Sequence, residues 1–158
     1  MRPIIRRREL VEDELRYAGE PESEGTVRVH ALAEWLAHAA PRPTAVLIAA
    51  ADDTEALAPH VASLRWIVIE FAKIGEGRGY SQARLLRQRY RYSHELRARG
   101  AIKRDQLFFL ARCGFDAFEL DAAEDPRAAL AGLDTFSVAY QDGDERLVHP
   151  LRRTAVGA

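Results

Sequence analysis

Residues 66–71, Trp-Ile-Val-Ile-Glu-Phe, are an almost unbroken apolar run of strand length, and they constrain the fold more than any other segment. A strand with one wet face alternates apolar and polar residues. A strand buried on both faces reads as a continuous hydrophobic run and belongs to a parallel sheet. Parallel neighbours cannot be joined by hairpins, so helical crossovers must flank this strand.

The flanking sequence supplies them. Residues 28–39 carry Leu32, Trp35 and Leu36 at helical spacing and stop at Pro41 and Pro43, after which Thr44–Ile48 reads as a strand. Asp52 or Asp53 can cap a helix running to Leu64. Beyond the central strand, Ser81 is the expected cap of a helix through Tyr90, and His94–Ala98 reads as a short strand. Residues 104–113 suit a helix ended by Gly114 in a left-handed cap. Asp116–Leu120 then reads as a strand, Pro126–Leu133 as a short helix and Phe136–Tyr140 as a last strand.

This alternation predicts an α/β fold, with strands and helices alternating around a mostly parallel sheet. No early nucleotide-type strand-turn-helix is present, so two forms of the sheet are open at this point, a flat open sheet and one that curls toward a partial β/α barrel. At 158 residues the chain is about one domain long. Residues 1–25 are expected to be a peripheral N-terminal segment with a hairpin of Pro3–Arg7 and Leu10–Arg16. Residues 26–146 are the single α/β domain and 147–158 a C-terminal tail.

Several function classes are disfavoured. No apolar run reaches the ~18 residues of a membrane helix and no signal peptide opens the chain, so no membrane association and a cytoplasmic location are expected. Cys113 stands alone, which rules out an internal disulfide and a cluster of thiolates. The five histidines are scattered without zinc spacing, so no metal site is expected. No nicotinamide, flavin, haem or iron–sulfur motif is present, so no cofactor is evident.

Charge is distributed unevenly. Residues 73–112 hold eleven Lys/Arg against three acidic residues, whereas residues 113–146 hold nine Asp/Glu against two arginines. Such blocks are either solvated helix faces or attract an anion or a partner of opposite sign. The basic stretch contains no nucleic-acid-binding module, so nucleic acid is not an expected partner.

Open α/β sheets and β/α barrels place their sites at the C-terminal ends of strands. There Glu70, Arg97 and Glu119 interrupt apolar strands and form a candidate ionic cluster, either a structural salt bridge or the polar floor of a catalytic site. Directly after the central strand comes Ala72-Lys73-Ile74-Gly75-Glu76-Gly77-Arg78-Gly79-Tyr80-Ser81. Three glycines leading to a helix start can present backbone N–H groups to an anion, with Lys73 and Arg78 adding charge. The candidate anion- or partner-binding residues are therefore Lys73, Gly75, Gly77, Arg78, Gly79, Tyr80 and Ser81. A tight β-α turn needing positive φ accounts for the glycines equally well.

The runs Gly77–Arg87, Glu95–Ala98, Arg104–Phe109, Arg112–Phe118 and Phe136–Gln141 resemble a bacterial family of unknown function. Its members are commonly encoded beside assimilatory sulfite reductase and are often labelled as oxidoreductases of sulfite reduction. The resemblance is densest from about residue 66 to 141, and it departs at Glu76, where the family usually has Asp. It implies a pathway, sulfate assimilation and cysteine biosynthesis, more than a reaction. Two functions are expected. One is an accessory protein that binds a small sulfur oxyanion or docks on sulfite reductase or its electron donor. The other is an enzyme using Glu70, Arg97, Glu119 and the 73–81 loop on a small anionic substrate.

Overall fold

The computed structural model describes residues 2–139. The expected tail at 147–158, the domain limit at 146 and Tyr140 at the end of the last expected strand lie outside them. Four strands form the parallel centre: β6 (Ala45–Ile48), β7 (Trp66–Phe71), β8 (Glu95–Gly100) and β9 (Ala117–Glu119). Their pairing is parallel throughout, with Val68 beside Arg97 and Arg99 beside Glu119 in register. The apolar run of β7 is an interior strand of this sheet, paired on both sides, as its composition demands.

Among the described residues, seven strands form the main sheet, in the order β2-β1-β9-β8-β7-β6-β5, where β1 is Pro3–Arg6, β2 is Glu9–Glu12 and β5 is His30–Ala31. Among these residues β2 and β5 are the edges and do not pair with each other, so the barrel is not seen. Strand β1 is antiparallel to both β2 and β9. The N-terminal segment is therefore not peripheral. Its hairpin extends the sheet, and Ile4 and Ile5 are buried.

From β5 to β9 each strand lies beside its predecessor. Right-handed crossovers between strands added in one direction put every helix on the same face. Leu32 and Trp35 of α1 (Leu32–Ala37), Ala83 of α2 (Gly77–Arg84), Leu107 and Leu110 of α3 (Leu107–Cys113) and Ala129 of α4 (Pro126–Ala139) pack there with Ile67, Ile69, Phe71, Leu96 and Phe118. The opposite face carries Ala45 and Val68, covered by Leu15 and Tyr17 of the N-terminal segment and by Val29. Two short strands, β3 (Leu15–Arg16) and β4 (Val27–Arg28), pair within that cover.

Strand β8 shows how period two sorts this chemistry. Leu96 and Ala98 face the helices, while Glu95, Arg97 and Arg99 alternate onto the other face. Two helical expectations shift in extent. The helix expected over 28–39 is only six residues long, because Val27–Arg28 and His30–Ala31 pair as strands. The strand expected at Phe136–Tyr140 is not formed at 136–139, which continue α4. That helix starts at Pro126 with the Asp125 carboxylate accepting from the Arg127 N–H, and the spacing of Ala129, Leu133 and Phe136 keeps the helical period in sequence. Gly114 ends α3 at φ +118, the left-handed cap expected of it. Among the described residues, no helix is long and apolar enough to cross a membrane.

Candidate functional site

The segment after β7 folds differently from a loop ending at Ser81. Gly75 turns the chain at φ +81, and α2 begins at Gly77, with Glu76 in the capping position but no side-chain cap. Gly77, Arg78 and Gly79 are thus the first turn of the helix, and Ser81 is an exposed residue within it. The first N–H groups of any helix lack partners inside it, and the helix dipole leaves them partly positive. A methyl group at Gly79 would stand 2.5 Å from the ring of Phe71, so glycine lets the helix start close over the end of β7. At Gly77 a methyl group would meet nothing.

Exposed side chains surround this turn. Lys73 and Arg78 are exposed, and Arg78 makes one long hydrogen bond, 3.4 Å from its Nη1 to the Ala50 carbonyl. Ile74 is 60% exposed and Phe109 of α3 is 48% exposed, large values for apolar side chains. Phe109 lies 5.0 Å, ring to ring, from Tyr80, which in turn packs edge-on against Phe71. Lys73, Ile74 and Arg78 are thus exposed where β7 ends and α2 begins, and Phe109 is exposed beside Tyr80.

Glu70, Arg97 and Glu119 lie on the face of the sheet away from the helices. They belong to a larger alternating network whose links the sequence did not reveal. Arg99 joins Glu70 (2.9 Å) to Glu119 (3.2 Å) and stacks over the Tyr17 ring at 3.7 Å. The Tyr17 hydroxyl donates to Glu119 Oε2 at 3.0 Å, and Arg2 reaches Glu119 Oε1 at 3.1 Å. Arg97 donates to Asp13 at 2.7 Å and to Glu95 at 3.0 Å, but lies 3.9 Å from Glu119. Arg6 completes the pairing of Glu95 at 2.6 Å. Asp13, Tyr17, Arg2 and Arg6 come from the N-terminal segment, far away in sequence.

The network is ion-paired, although Arg6 Nε and Arg97 Nη2, both close to Glu95, are buried without hydrogen-bond geometry. Burial works against the Asp13 carboxylate, but Arg97, the Leu15 N–H and Arg2 outweigh it and hold the carboxyl below its ordinary value. Burial also opposes the charge on Arg97; Tyr17, Glu95 and Asp13 override it and raise its pKa. The Tyr17 phenol is pushed far up by burial, so it remains a hydrogen-bond donor. Arg97 has no exposed side-chain surface, whereas Glu70 and Arg99 reach the rim. Cys113 is buried at the end of α3, and burial pushes its thiol up, away from the reactive thiolate.

Residues 45–149 match the model of a family described as bacterial protein of unknown function (DUF934). No curated protein and no solved structure matches the chain significantly.

Proposed function

This chain belongs to that bacterial family of unknown function, and on that premise we propose that it is an accessory protein of sulfate assimilation that docks on the sulfite reductase system. The observation that carries the reading is that Lys73, Ile74 and Arg78, around the turn into α2, and Phe109 of α3 are all exposed. Exposed apolar side chains and exposed cations suit a partner with an acidic rim and an apolar centre. The pathway comes from the resemblance of residues 66–141 to proteins encoded beside sulfite reductase.

A second reading, a small sulfur oxyanion at the same turn, is supported by the helix start at Gly77 with Lys73 and Arg78 nearby. The enzyme reading has less support. Glu70 and Glu119 are both held by Arg99, and Arg97 has no surface to offer a substrate.

Interferometry with immobilised chain, against sulfite reductase and separately against sulfite and sulfate, tests the proposal. Saturable binding of the enzyme, weakened by Ile74→Ser and Arg78→Glu, supports docking. Binding of the anions with no affinity for the enzyme replaces docking by the second reading. Turnover of sulfite by the chain alone restores the enzyme reading.

A further inference from the structure

We infer that His30, Glu34 and His38 form a binding site for a zinc-class divalent cation. The two histidines are eight residues apart and carry no zinc-finger spacing, yet the fold sets one donor atom from each of the three side chains within 4.8 Å of one another. His30 Nδ1 lies 2.9 Å from Glu34 Oε1, and the His30 and His38 rings meet edge-on at 4.6 Å. A hydrogen bond between His30 and Glu34 accounts for that pair alone. It does not account for the second imidazole.

The frame is rigid where a site needs it to be. His30 stands in β5, Glu34 in α1 and His38 just past its end. Leu32 and Trp35 bury the other side of that short helix, and the Trp35 indole N–H donates to the Pro43 carbonyl at 2.7 Å. Two imidazoles and one carboxylate are a donor set suited to zinc and its neighbours, and three protein ligands leave a coordination position for water or a further ligand. Tetrahedral zinc with bonds of about 2.0–2.1 Å needs donors about 3.3 Å apart. None of the three side chains is buried, so small side-chain rotations suffice to bring them in. The site precedes residues 45–149 and is independent of the docking surface.

Calorimetric titration of the untagged full chain with Zn²⁺ tests the inference, with Co²⁺ absorption as a report on coordination. The expected result is one saturable site, with affinity lowered at least tenfold in His30→Ala and in His38→Ala and the Co²⁺ bands lost in the double variant. Melting of the metal-free variants checks their folding; if His30→Ala folds poorly, His38→Ala gives the same reading from a residue outside the strand. Absence of saturable Zn²⁺ binding, or equal binding by the folded variants, overturns the inference.

Discussion

The Arg97 guanidinium donates to the Asp13 carboxylate at 2.7 Å, and neither side chain has exposed surface. The two residues are 84 positions apart, so this pair fastens the N-terminal segment to the middle of the sheet. Two buried opposite charges stabilise little against an apolar pair, but removing Asp13 leaves Arg97 buried with only part of its pairing, the contact to Glu95.

Asp13→Ala is therefore expected to destabilise the fold by about 3–5 kcal/mol in urea unfolding. The double variant Asp13→Ala with Arg97→Met should recover part of that loss, because no charge is left buried alone. A single variant that loses less than about 1 kcal/mol would show that water reaches Arg97.

Two buried aspartates make opposite contributions to the pH dependence of stability. Burial raises Asp116 from 3.8 to about 6, ahead of the opposing pull of Arg87 and the Leu96 N–H. The folded chain then binds the Asp116 proton more tightly, so this contribution is present below pH ~4 and lost as pH rises through about 6. Asp13 is held below 3.8, and its contribution is present above that value and lost as pH falls through its lower folded pKa. Urea unfolding from pH 4 to 7 should show the wild type losing stability relative to Asp116→Asn. Parallel curves would rule out the assigned shift.

Gly77 and Gly79 should separate packing from recognition. Gly79→Ala forces a methyl group onto Phe71 and is expected to cost ~1–3 kcal/mol, reduced when Phe71→Leu is added. Gly77→Ala meets open space and should be neutral or stabilising by up to ~1 kcal/mol. Loss of partner binding in a fully stable Gly77→Ala would mean that a ligand approaches that backbone closely.

Arg78 should matter for binding and little for folding. Among the described residues its hydrogen bond is long and exposed, so Arg78→Ala should change stability by less than ~0.5 kcal/mol. Loss of a charge-assisted contact of ~1.5–3 kcal/mol weakens binding roughly ten- to a hundredfold. A large fall in melting temperature, with growth of a sulfur-auxotrophic deletion strain still restored, would make Arg78 structural.

The parallel centre of the sheet was legible in the residues themselves. Trp66–Phe71 has the continuous apolarity of a doubly buried strand, the helical spacing of Leu107 and Leu110 marks α3, and Gly114 supplies its left-handed end. Arg97 was legible as a charge within its strand, but the expected strand ended at Ala98, so Arg99 and the polar face it completes were not. The legible signals are local, set by period two, period 3.6 and the conformational freedom of one glycine.

What covers that polar face was decided only by the tertiary structure. Period and propensity act over a few residues, whereas the partner of Arg97 is set by which distant segment packs over it. Nothing near Arg97 in sequence points to Asp13, and nothing near Glu119 points to Tyr17. The N-terminal hairpin joins the sheet because β9 offers an unpaired edge, a property of the assembled strands and of no single stretch. The start of α2 at Gly77 is settled in the same way, by the Phe71 ring lying where a side chain at Gly79 would be. His30 and His38 meet because the strand and helix between them have definite lengths once Trp35 is buried. Local sequence specified the elements, and their packing chose the contacts, because buried charge and close-packed rings are satisfied only by whatever the whole chain brings beside them.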